Sequence, residues 1–155
     1  MLPTPTKFKP VAGSACGATE LNAFDAALLD AGIGNLNLIR VSSILPPGAK
    51  LDPELVIPPG SLVPTAYASI VSDVPGDLIG AGIAVGIAEE PNSYGVIMEY
   101  SGHCGADEAE RTVREMVREG FKARGLKLKE IISRASECRV EGKAGCAFAA
   151  IALWY

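Results

Sequence analysis

Six prolines fall between residues 46 and 64: Pro46, Pro47, Pro53, Pro58, Pro59 and Pro64. Each fixes its own φ and lacks an N–H, so this density predicts a span without regular structure. It predicts a stiff connection over 45–64 with little entropy left to lose on ordering. A loop that long inside a chain of 155 residues, the size of one domain, is more often functional than idle. The same prolines dispose of a membrane span. The uncharged run 55–72 is long enough to cross a bilayer but is broken by Pro58, Pro59 and Pro64.

Composition sets the broad class. Hydrophobic residues make up 48% and charged residues 21%, with mean hydropathy +0.25, which describes a packed globular chain and excludes a disordered one. A net charge of -4 gives no electrostatic reason to expect nucleic acid or an anionic membrane as partner. So much apolar content in so short a chain predicts that some of it is covered between subunits. The opening "MLPTPTKFKP" has no apolar core of a secretory signal, and the closing "AGCAFAAIALWY" is too short to span a bilayer. The expectation is a soluble, cytoplasmic protein. Cys16, Cys104, Cys138 and Cys146 form no CxxC pair, the nearest two being eight positions apart. They read as small buried or loop residues in a reducing compartment. His103 beside Cys104 has no second histidine to join it, so no metal is expected.

Periodicity then places the elements. "TELNAFDAALLDAG", 19–32, predicts a helix with Leu21, Phe24 and Leu28 on its apolar face and Gly32 as its stop. Asp25 would lie about 80° from the centre of that stripe at 100° per residue, reaching solvent or lining a pocket. "LNLIRV", "YASIVSDV", "IGAGIAVGIA" and "YGVIMEYSG" read as strands, with turns at Pro75-Gly76 and Pro91-Asn92. A second helix is predicted over Ala106–Arg124. Ala109, Val113, Met116, Val117, Gly120 and Phe121 form its apolar stripe, Glu110–Arg114 and Arg111–Glu115 pairs its wet face, and Gly125 its exit. Two apolar segments near 128–141 and 145–155 close the chain. With no repeat and no linker, the order helix, strands, helix, strands predicts one α+β domain.

The usual catalytic templates fail. No G-x-S-x-G frames a serine, and His103 lies too close in sequence to Ser101 to serve it as a base. "GAGIAVG" at 80–86 has the wrong spacing for a dinucleotide loop and reads as a strand along which another backbone passes closely. What remains is a set of polar residues in apolar settings: Asp25, Asn37, Ser42, Ser43, Asp73 and Glu99. Partial burial of Glu99 in "GVIMEYSG" would raise its pKa and let it carry a proton near neutrality; at the strand end it could equally point to solvent.

The stretches "LNAFDAALLDAGIGNLNLIRVSSILPPGA", "LVPTAYASIVSDVPGD", "GVIMEYSG", "EAERTVREM" and "GCAFAAIALWY" together resemble pyruvoyl-dependent arginine decarboxylase. The similarity runs from about Val11 to Tyr155 in unbroken order.

The resemblance implies an αββα sandwich that cuts itself between Ser42 and Ser43 into chains 1–42 and 43–155, turning Ser43 into a covalent pyruvoyl group. That ketone would form a Schiff base with L-arginine and draw off electrons as CO2 leaves, giving agmatine for polyamine synthesis. Neither pyridoxal phosphate nor a metal is implied. By the same resemblance Glu99 protonates the α-carbon, Asp25 faces the guanidinium, and Asn37 assists self-processing by polarising a carbonyl or holding the turn. It further implies homotrimers, sometimes paired into hexamers, with active sites between subunits. Two alternatives stay open: a pyruvoyl decarboxylase for another amino acid, and an uncut structural or binding oligomer.

Overall fold

The computed structural model describes residues 2–155. Along the chain its elements are β1 (Lys7–Gly17), α1 (Glu20–Asp30), β2 (Asn37–Arg40), β3 (Ile44–Leu45), β4 (Lys50–Leu51), β5 (Leu62–Ser72), β6 (Leu78–Ala88), β7 (Gly95–Gly102), α2 (Ala106–Ala123), β8 (Leu128–Arg139) and β9 (Ala144–Trp154). The strands form two sheets, ordered β2-β5-β9-β1-β4 and β3-β7-β6-β8. They are antiparallel apart from the parallel pairs β2 with β5 and β1 with β4. Helix α1 covers the outer face of the first sheet and α2 that of the second, giving four layers in the order α, β, β, α.

Three apolar clusters hold the layers together. Phe8, Ile79, Ile83, Ile97 and Ile151 fill the space between the sheets. Val113, Val117 and Phe121 of α2 pack on Ala84, Ala88 and Val96, as the helical spacing predicts. Strand β6 is the glycine run read above as a strand, and another backbone does pass close to it. A Cβ on Gly80 would stand 2.6 Å from the Cys104 carbonyl oxygen, and one on Gly82 would stand 2.9 Å from that of Ala109. Side chains at these positions would lift α2 off the sheet.

Three details differ from the sequence reading. The buried face of α1 consists of Ala23, Ala27 and Leu28, whereas Leu21 is 74% exposed. Small alanines let the helix lie close to β1 and β9, which hydrophobicity counted by side-chain size overlooks. The proline-rich span is not free of regular structure: it holds β4 and the start of β5, including Pro64. That proline is accommodated because β5 begins its antiparallel ladder with β9 only at Thr65. Strand β1 was not foreseen at all, since Pro10 and a run of small residues hide its alternation.

Thr19 caps α1 by accepting a 3.1 Å hydrogen bond from the Asn22 N–H, and Gly32, at φ +85°, turns the chain out of the helix. The helix thus delivers the chain into β2 and the serine pair.

Candidate active site

β2 ends at Arg40, and β3 starts at Ile44 in the other sheet, so the chain crosses between sheets through Val41, Ser42 and Ser43. Ser42 is exposed and Ser43 is half-buried at a bend. Among the described residues neither hydroxyl makes a hydrogen bond, which leaves both chemically free. The Ser43 carbonyl is not free: it accepts a 2.7 Å hydrogen bond from the Ile97 N–H of β7. Pairing of Ile44 with Val96 continues that anchor into the sheet.

Glu99 lies two residues beyond Ile97 on β7, about 7 Å further along the strand and on the same face. Its side chain is 31% exposed, and its Oε1 accepts from the Arg40 guanidinium at 3.2 Å. The same Arg40 nitrogen donates to the Tyr67 carbonyl at 2.7 Å, and the guanidinium lies 4.4 Å from the centre of the Tyr67 ring. Glu99 is thus half-buried, as one of the two readings of its strand position had it, and ion-paired as well. Arg40 and Tyr67 were not among the sequence candidates. The one available signal was the position of Arg40 in "NLIRVSS", a charge at the end of an apolar strand.

Tyr67 extends the connection to α1. Its ring packs 6.4 Å from that of Phe24 and 5.4 Å from that of Phe148. Asp25, next to Phe24, is exposed and has no hydrogen bond or ion pair among the described residues. At 100° per residue it lies about 150° round the helix from the centre of the buried face formed by Ala23, Ala27 and Leu28. It projects outward, beyond the flank position the sequence suggested. Asn37 donates through Nδ2 to the Gly60 carbonyl at 3.1 Å, while its N–H donates to the Ser61 carbonyl at 2.9 Å. Its amide is thus engaged with Gly60, away from Ser42. Asp73 is exposed at the end of β5 and joins none of these contacts.

The structure therefore links Ser43, Ile97, Glu99, Arg40 and Tyr67, with Asn37 bracing β2 from behind and Asp25 reaching into solvent. An open cavity of 610 Å³ between α2 and β7, lined by Met98, Arg111, Glu115 and Met116, lies elsewhere. Met98 alternates with Glu99, so the cavity opens on the other face of β7.

The site can perform one uncommon reaction. A hydroxyl free to move, adjacent to an exposed peptide bond and followed by a pinned carbonyl, suits intramolecular attack by Ser43 on the Ser42 carbonyl. Those residues would fit a cofactor made from the backbone itself: the carbonyl held by Ile97 would then be the amide next to the new ketone, already hydrogen-bonded. Among the described residues no group of three His, Cys, Asp or Glu side chains could hold a metal, and no helix is long and apolar enough to cross a membrane.

Comparison with known proteins agrees with this geometry. A family profile described as pyruvoyl-dependent arginine decarboxylase matches residues 7–155. Proteins of that name are similar along nearly the full chain. The one from Methanocaldococcus jannaschii is 58% identical over 97% of this chain and 91% of its own length. That from Methanococcus aeolicus is 53% identical over 97% and 91%, and that from Pyrococcus abyssi 49% over 97% and 96%.

Proposed function

The chain belongs to the pyruvoyl-dependent arginine decarboxylase family, and we propose that it cuts itself between Ser42 and Ser43 and then converts L-arginine to agmatine and CO2. One observation supports this above all: the Ser43 hydroxyl is unengaged while its carbonyl is fixed to β7 beside Glu99. Ser43 Oγ attacks the Ser42 carbonyl, the amide becomes an ester, and the Ser43 nitrogen becomes an amine. Loss of the Ser43 α-proton then expels the Ser42 carboxylate, which ends chain 1–42. Water replaces the remaining nitrogen as ammonia, leaving a keto group at the head of chain 43–155. The new terminus supplies an electron-accepting ketone for decarboxylation of an α-amino acid.

The chain's own residues do the rest. The Ile97 N–H holds the carbonyl of residue 43 and presents a fixed donor where negative charge collects. Glu99 delivers the proton to the substrate's α-carbon, positioned by Arg40. Asp25 accepts the guanidinium, a planar fork that a carboxylate matches with paired acceptors. Asn37 keeps the start of β2 in place through Gly60, and with it the strand that leads into the serine pair.

Asp25 stands exposed and unpartnered in one chain, and Leu21 and Leu62 are 74% and 64% exposed. Both features support a site completed by a second copy, within a homotrimer that can pair into a hexamer. The chain's place of action in this reading is the cytoplasm; among the described residues no helix is long and apolar enough to cross a membrane.

The test is intact mass under denaturing conditions. Two species splitting after Ser42 are expected, the larger blocked to Edman degradation. Ser43→Ala should give a single uncut chain with no decarboxylation. An uncut parent protein that still releases CO2 from arginine would overturn the proposal.

A further inference from the structure

β1 and β8 belong to different sheets, yet their ends meet. On β1 the side chains of Phe8 and Ala12 face the space between the sheets, and Cys16, four residues on from Ala12, shares that face. On β8, Cys138 enters the same layer, 7% exposed, and its sulfur stands 3.9 Å from that of Cys16. Room for it is made by Gly145, which pairs with Cys16 across β1 and β9. A Cβ there would come within 2.9 Å of the Cys138 sulfur. The third nearby thiol, Cys146, is fully buried and donates to the Ala147 carbonyl. Sulfurs in contact need only close to about 2.05 Å for a bond.

We infer that Cys16 and Cys138 form a reversible disulfide that ties the two products of self-cleavage into one covalent molecule. The inference rests on the processing reading in one respect: Cys16 lies in chain 1–42 and Cys138 in chain 43–155, so the bond would span the cut. The oxidant is a low-molecular-weight disulfide. The Cys16 thiolate, exposed at the end of β1, attacks it, releasing one small thiol and forming a mixed disulfide. Cys138 then gives up its proton, and its sulfur displaces the second small thiol from Cys16. Two protein thiols are oxidised and one small disulfide is reduced. Burial pushes the Cys138 thiol up to about 11 and the Cys146 thiol up to about 12, so the exchange begins at Cys16 and Cys146 stays out of it.

The bond adds something the fold otherwise supplies only through packing. Chain 1–42 carries β1, α1 and β2, hence Asp25, Asn37 and Arg40, and after cleavage it would be held to the larger chain without any covalent link.

The experiment treats purified full-length protein with oxidised or reduced glutathione, blocks free thiols with N-ethylmaleimide, and compares denaturing gels with and without reductant. After oxidation, the two chains should run together without reductant and separate with it. The intact mass should be two hydrogens below the sum of the separated chains. Cys16→Ser and Cys138→Ser should each release chain 1–42 without reductant, with cleavage unchanged, whereas Cys146→Ser should keep the tie. Separated chains after oxidation, with Cys16 and Cys138 both alkylated, would overturn the inference. A single chain that persists under reductant is a failure of processing instead. In that case a peptide map of the oxidised protein decides, and absence of a Cys16–Cys138 cross-linked peptide would overturn the inference there too.

Discussion

Strand β6 and the stretch from Asn37 to Leu45 are built on opposite principles. All but two of the residues of β6 are buried, with Ile79, Ala81, Ile83 and Val85 toward the other sheet and Ala84, Ala88 and the glycines under α2. Between Asn37 and Leu45 only Leu45 is buried, and the chain there changes sheets at an exposed serine. A peptide bond in β6 is locked by partners on both sides, β7 and β8. The Ser42–Ser43 peptide group itself makes no backbone hydrogen bond among the described residues; the nearest anchor is the Ser43 carbonyl, one peptide further on. Breaking the Ser42–Ser43 bond dismantles no core cluster. The chemistry sits where the fold has least to lose, while the interior strand carries the rigidity that holds Ile97 and Glu99 in place. Substitutions in the two regions should therefore fail differently: on the edge through activity, in β6 through stability.

Among substitutions that leave self-cleavage intact, the largest effect expected is that of Glu99→Gln, on the strand that anchors the serine stretch. Glutamine keeps the shape and can still meet Arg40, so folding and self-cleavage should match the parent. Turnover of arginine should fall by roughly 10² to 10⁴, the usual contribution of a positioned proton donor. Single-turnover kinetics on fully processed protein would measure it. A parent-like rate would mean that another group delivers the proton.

Gly80→Ala tests the other half. Its Cβ would meet the Cys104 carbonyl oxygen at 2.6 Å, a backbone atom at the entry to α2 that cannot swing aside. The cost should be about 1–3 kcal/mol, seen as a lower urea midpoint with the slope unchanged. Turnover per folded molecule should stay at the parent level. Loss of turnover at unchanged stability would show that the two regions are not separable in this way.

How much of this was legible in the sequence depended on side-chain size. Helix α2 was readable because Val113, Val117 and Phe121 recur at helical spacing and are large. Helix α1 was placed correctly, and Phe24 and Leu28 pack inward as expected, but Leu21 does not; the face is shifted toward Ala23 and Ala27, which carry little hydrophobic signal. Strand β1 was hidden by Pro10. Nor did the wet face of α2 turn out to be simple: Arg114 donates to Ser133 at 2.9 Å, and Ser133 donates to Glu110 at 2.9 Å, so an assumed surface pair reaches across to β8. At the site, Asp25, Asn37, Ser42, Ser43 and Glu99 stood out as polar residues in apolar settings, and the resemblance supplied the roles proposed for them. Arg40 and Tyr67 did not stand out, since the parallel pairing of β2 with β5 brings them to each other and the packing of β5 on β7 across the two sheets brings them to Glu99, and no local pattern encodes either.

Asp25 gives the smallest expected effect and the sharpest one, because it belongs to the edge by exposure but to a helix by position. It is unpaired in the chain, so Asp25→Asn should leave stability within about 0.5 kcal/mol of the parent. Self-cleavage should also be unchanged, as Asp25 makes no contact with the serine bend. Losing a charged acceptor from a guanidinium should lower kcat/KM for arginine by about tenfold, mostly through KM, because the contact is made equally before and during the reaction. Citrulline, which has the same shape without the charge, separates two meanings of such a loss. If Asp25 reads charge, the variant should narrow the preference for arginine over citrulline. An unchanged KM for arginine, with that preference intact, would place the guanidinium elsewhere and leave α1 with a purely structural part, like α2.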